Sequence, residues 1–237
     1  MSPTMPSATF TTNFCRDAAP FVLVLVERPI GGDMPYVCEN SRLGWTADDE
    51  PIPPKASDFV YLPAEELGGP SRPAQLRIPS SREPIDSEFE SPDEARAIIL
   101  ALKALGIAKV YCRYDGGNDE GFAWVDHAEF ASGERLDIAT LARRLFADGV
   151  VSVPEFLADY PAERAVQFVL DLSLAVNWAA ALLGGYSYGT GGYWMYGALV
   201  ADLVAETITD DPMADLVVQN VRIDGVRRVP GPLKRQP

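Results

Sequence analysis

The chain has 237 residues, 47% of them hydrophobic, which suffices for one sizeable domain with a buried core. Its formal net charge of -14 argues against a direct nucleic-acid binder, because neutralising phosphates takes clustered Lys and Arg. The acidity lies in the body of the chain, since residues 222–237 carry Arg222, Arg227, Arg228, Lys234 and Arg235 against Asp224 alone.

Residues 1–20 are rich in Ser, Thr, Pro and Met without periodicity, and a loose tail is expected there. They lack the basic start and long apolar run of a signal peptide, so a cytoplasmic protein is expected. Cys15, Cys38 and Cys112 are an odd, widely spaced set with no CxxC pair. They suggest neither a zinc site nor a disulfide scaffold, and a reducing compartment follows. Residues 21–26, Phe-Val-Leu-Val-Leu-Val, give the strongest strand signal, and their lack of alternation predicts cover on both faces. A turn at 27–32 and a short returning strand at 34–38 follow. Prolines recur from 51 to 92, which predicts an arm or extended connection with short regular pieces at 58–62 and 74–78.

Ser91-Pro92-Asp93-Glu94 carries a hydroxyl cap, a proline where no amide hydrogen is needed, and a glutamate that can reach back to the cap. Ala95, Ile98, Ile99, Leu102 and Leu105 then recur at helical spacing, so a helix is predicted over 92–105 and stopped by Gly106. The period becomes two at Ile107, predicting a strand to Tyr114. The loop Asp115-Gly116-Gly117-Asn118-Asp119-Glu120-Gly121 turns the chain, and Phe122 to Val125 returns antiparallel. The expected register sets Tyr114 against Phe122, Cys112 against Trp124 and Val110 against Asp126. Asp115, Asp119 and Glu120 crowd this loop and could hold a hard cation through oxygen ligands, although a solvated hairpin turn accounts for the same composition.

A second helix is expected at 136–147, and a longer one at 163–183. The latter is long enough to invite a membrane reading. Asp171 in its middle and an acidic flank argue instead for a buried helix with a polar seam of Gln167, Asp171 and Asn177. Gly184-Gly185 stops it. Tyr186, Tyr188, Tyr193, Trp194 and Tyr196 then interleave with Gly189, Gly191 and Gly192. Such a segment suits a protein-binding patch, because aromatic side chains give large contact area at small entropic cost; packing of the core edge is the competing reading. Residues 216–223 are expected to make a last short strand, and 226–237 a basic flexible tail.

The only histidine, His127, falls beyond the strand partner of Cys112 and is expected to be exposed rather than catalytic. No GxGxxG, P-loop, HExxH or GxSxG motif is present, so no cofactor is implied.

Residues 114–121, preceded by the helix and Leu105-Gly106-Ile107, resemble the first conserved block of an uncharacterised family of acidic bacterial proteins, often carried on plasmids and other mobile elements. The resemblance runs over about residues 91–211. A second block takes in the long helix, Gly184-Gly185, the turn with Gly189 and Gly191, and Val204-Ala205-Glu206-Thr207-Ile208. This chain departs there, with Tyr186-Ser187 where the family has a Trp-Glu start and Gly189-Thr190-Gly191 where it has an Asn-Asp-Gly turn. The resemblance implies a bacterial accessory protein of conflicts between hosts, plasmids and phages, and carries over no catalytic residue.

The sequence thus predicts an α+β fold, with antiparallel hairpins packed on about three helices in one domain over 21–225. It favours a non-enzymatic interaction or regulatory protein whose partner presents a basic surface, with no membrane attachment. The alternatives are a divalent-metal enzyme at Asp115, Asp119 and Glu120, and an acidic mimic of DNA that occupies a nucleic-acid-binding protein.

Overall fold

The computed structural model describes residues 21–27, 36–38, 43–44, 46–63, 75–78, 92–118, 120–185, 191–212 and 214–224. The two terminal tails and most of the proline-rich stretch, with Tyr186, Tyr188 and Asp119, lie outside the described residues.

The fold is α+β. The strands are β1 (Phe21–Glu27), β2 (Tyr36–Val37), β3 (Phe59–Pro63) and β4 (Gln75–Arg77), then β5 (Ile107–Asn118), β6 (Glu120–Phe130) and β7 (Arg135–Asp137). They continue with β8 (Gly191–Asp202), β9 (Thr207–Asp210), β10 (Leu216–Val218) and β11 (Val221–Ile223). The helices are α1 (Pro92–Ala104), α2 (Ile138–Ala147) and α3 (Ala162–Leu183). Among the described residues β1 to β9 form one antiparallel sheet whose main path is β2-β1-β8-β5-β6-β7, while β10 and β11 form a separate hairpin. The pieces expected at 58–62 and 74–78 fall on β3 and β4, which pair with β1 and β9.

The sheet separates two cores. On one face Ile98 and Leu102 of α1, Leu141 and Leu145 of α2, and Val166, Leu170 and Leu174 of α3 pack against Val110, Cys112, Val125 and Leu199. On the other face, Leu216, Val218 and Ile223 of the small hairpin close over Leu23, Leu25, Phe59 and Tyr196. This explains the unbroken apolar run of β1: Val24 and Val26 turn to the helices while Leu23 and Leu25 turn to the hairpin, and all four are buried. Each such side chain contributes about 1.5–3 kcal/mol by leaving water.

Sequence-based boundaries shift for local reasons. Leu136 lies in β7 rather than in α2, because Asp137 keeps an extended backbone and accepts the Thr140 N–H at 2.9 Å, which caps a helix that starts at Ile138, two residues later. The last strand is a hairpin, since Gln219 and Asn220 both adopt left-handed backbone (φ 48° and 65°), the turn that suits the twist of a two-residue connection. The expected glycine-rich loop is largely strand: β5 runs to Asn118 and β6 starts at Glu120. The register therefore pairs Asp115 with Phe122, Arg113 with Trp124 and Cys112 with Val125. That is one residue from the expected pairing, and it moves Trp124 to the face away from the helices.

Between Tyr111 and Cys112 the β5–β6 register slips, because Tyr111 pairs with His127 and Cys112 with Val125. Asp126 is the extra residue of this bulge. The Val125 N–H there donates to Asp171 Oδ1 at 2.7 Å. Asp171 opens a wide π turn, Asp171–Val176, in the middle of α3. Asn177, the buried end of the expected polar seam, donates from Nδ2 to the carbonyls of Leu172 and Ser173 at 3.3 and 3.2 Å. The 22-residue α3 has the length and apolar composition of a membrane span, but 67% of its most apolar window is buried inside this domain.

Burial pushes the Asp171 carboxyl up to about 7, and the Val125 hydrogen bond only partly opposes that. Asp171 is therefore neutral in the fold at acid pH, while the unfolded chain ionises near 3.8. Its contribution is full below about pH 4 and is lost as pH rises through 7. Asp171→Asn keeps an acceptor for Val125 and removes the buried charge. The variant is expected to gain stability over the wild type, by up to a few kcal/mol at pH 8, with the gap closing towards pH 4. Urea unfolding at the two pH values tests this; an Asn variant less stable at pH 8 would show that the ionised carboxylate is needed.

Candidate functional site

The long strands β5, β6 and β8 run past the small hairpin, and a cleft of about 370 Å³ opens where its cover ends. That volume is within the range of binding sites for small ligands or single side chains. Arg113, Asp115 and Trp124 line it from β5 and β6, Trp194, Tyr196 and Gly197 from β8, and 216–219 from the hairpin. Their convergence follows from the ladder, because Asp115 pairs with Phe122 on one side and with Tyr196 on the other, while Arg113 pairs with Trp124 and Ala198. Directly opposed residues of antiparallel strands share a face, so the aromatic side chains of β6 and β8 flank Asp115.

The floor requires a glycine. Tyr114 points to the helical side and pairs with Gly197, and a Cβ at Gly197 would run into the Tyr114 ring. Tyr196 is buried: its ring meets Phe59 edge-on at 6.2 Å, and its hydroxyl accepts from Gln219 Nε2 at 3.2 Å. It is thus more a floor of the cleft than a presented contact. Trp194 and Trp124 are half-buried in the walls, and Phe122, opposite Asp115 on β6, is 51% exposed. Of the five aromatics that the sequence suggested, Trp194 and Tyr196 reach this site. Tyr193 lies on β8, and Tyr186 and Tyr188 lie outside the described residues.

Arg113 ties the hairpin to the sheet. Its Nε and Nη2 donate to the two oxygens of Asp126 at 2.9 and 3.4 Å, and its Nη1 donates to the Asp215 carbonyl at 2.6 Å. Burial works to raise the Asp126 carboxyl, but the hydrogen bonds from Arg113 and His127 prevail and hold it below the usual range. His127 is not exposed, contrary to expectation. Only 16% of its side chain meets solvent, because the bulge sets it on the same face as Asp126 and Tyr111. Its ring stacks on Tyr111 at 4.3 Å, and Nδ1 bonds Asp126 Oδ2 at 2.8 Å. Nε2 is buried without a hydrogen-bond partner among the described residues. Closed off in this way, His127 serves as a strut behind Asp126.

Asp115 faces the cleft, Glu120 is exposed at the hairpin tip opposite Gly117, and Asp119 lies outside the described residues. Among the described residues no three His, Cys, Asp or Glu side chains stand close enough to share a metal ion. The sequence reading missed Arg113, Trp124 and the hairpin. The alternation of Arg113 with Asp115, mirrored by Phe122 with Trp124, was the signal that could have found the first two.

Comparison with family profiles, with curated proteins and with solved structures finds no match to this chain.

Arg113→Ala removes the link between sheet and hairpin. Amide hydrogen exchange over 214–224 is expected to accelerate at least about tenfold, while protection in β5 and β8 stays. Unchanged exchange in the hairpin would show that Leu216, Val218 and Ile223 hold it without the arginine.

Proposed function

We propose that the protein is a non-enzymatic binding protein that takes hold of a partner protein through this cleft. The observation that carries the reading is the pair Trp124 and Trp194, set on different strands yet lining one concave site beside the exposed Phe122. Tryptophan is among the residues most enriched at the centres of protein interfaces, since it buries a large rigid surface with little loss of freedom. The hairpin and the sheet supply fixed walls, so the site needs little rearrangement to bind. The bacterial accessory setting, among plasmids, phages or host defences, is carried by the resemblance over about residues 91–211 alone.

The test is capture from native cells by the tagged protein, compared with the Trp124→Ala/Trp194→Ala variant and with Val204→Ser, a change at an apolar residue exposed elsewhere. One partner is expected to be retained by the wild type and by Val204→Ser. The double variant should bind it at least about thirtyfold more weakly, as loss of a hot spot of 2 kcal/mol or more implies. Purified partner should also slow hydrogen exchange in β6 and β8. Retention by the double variant would move the interface away from the cleft.

A further inference from the structure

Resting on that reading, we infer that the cleft recognises a cation, the guanidinium of an arginine in the partner's bound segment, with Asp115 as its counter-charge and Trp124 and Trp194 as the rings beside it. The argument turns on which charge in the cleft is already satisfied. Arg113 is committed: three of its nitrogens donate, two to Asp126 and one to the Asp215 carbonyl. An anionic ligand would have to compete with both. Asp115 is the opposite case, for among the described residues its carboxylate receives no hydrogen bond and forms no ion pair. Burial raises its pKa, as expected of a carboxylate that has lost water without gaining a partner. A bound cation restores what burial removed.

The aromatic walls discriminate in the same direction. The face of an indole carries negative potential, and a planar guanidinium stacks on it while its fork still donates two parallel hydrogen bonds to a carboxylate. Among the described residues that line the cleft, the one charge that opposes a cation is Arg113, already paired with Asp126. At longer range the chain's net charge of -14 favours the approach of a basic segment. The space of about 370 Å³ admits a side chain together with part of the backbone that bears it.

The probe is a blocked Gly-Arg-Gly peptide, titrated against tryptophan fluorescence of the full chain at about physiological ionic strength, where long-range attraction is screened. Its control is the same peptide with citrulline for arginine, which keeps the shape and removes the charge. Saturable binding of the arginine peptide is expected, with the citrulline peptide and the Asp115→Asn variant each at least about tenfold weaker. Glu155→Gln, an exposed change on the helical side, should bind as the wild type does. Equal binding of citrulline, undiminished binding by Asp115→Asn, or no binding of the arginine peptide overturns the inference. The citrulline comparison uses the unaltered protein and holds even if the Asn variant folds poorly. A captured partner that depends on Trp124 and Trp194 but not on Asp115 would remove the cation alone. Capture that ignores the tryptophans would remove the interaction reading itself.

Discussion

The central strands of this protein must satisfy two apolar layers at once. Among the described residues a helical layer packs on one face of the sheet, and the β10–β11 hairpin packs on part of the other. Strands long enough to support three helices therefore outrun the smaller cover, and the face they leave has to be compatible with water. Arg113, Asp115, Asp126 and Glu129 stand there, interleaved with Tyr111, Trp124 and Trp194. The cleft follows from this mismatch in layer size, because it lies at the boundary where apolar cover gives way to solvent.

Charge is distributed unevenly along that boundary. The arginine is drawn into a structural role by Asp126, which is itself braced by His127 stacked on Tyr111. Two ionic partners at this depth roughly offset their own desolvation, so the pair fixes geometry more than it adds stability. Asp115, two residues along the same strand, has no comparable support among the described residues. Two groups of opposite charge thus face the same space, one locked into the scaffold and one left to interact.

Much of the architecture was legible in the sequence. The start of α1 at Pro92, the glycine stop of α3 and the unbroken run of β1 each obey local rules, and Gly184 ends α3 in the left-handed conformation that its position demanded (φ 97°). The site was less legible, since it depends on pairing partners separated by some eighty residues, as with Asp115 and Tyr196. The acidic loop was misplaced because glycine and asparagine suggest a turn, yet these residues are carried into the ladder by β8, which pairs Gly116 with Met195 and Asn118 with Gly191. A local propensity was overridden by a long-range partner. The histidine was misjudged for a related reason, because simple alternation cannot anticipate a bulge that puts two consecutive side chains on one face.

The bulge at Asp126 and the π turn at Asp171 are each a one-residue insertion, one in a strand and one in a helix, and the Val125–Asp171 hydrogen bond joins them across the layer. Each insertion is awkward by itself. Together they form a matched pair, in which the amide at the strand's irregularity meets the carboxyl at the helix's. The number of residues in β6 and in α3 is consequently not independent. A deletion that smoothed the strand would rotate its outer half to the wrong face and leave the helical carboxyl buried without a donor. Length variation in this chain should therefore be confined to connections outside these two elements, and any shortening of one would call for a compensating change in the other.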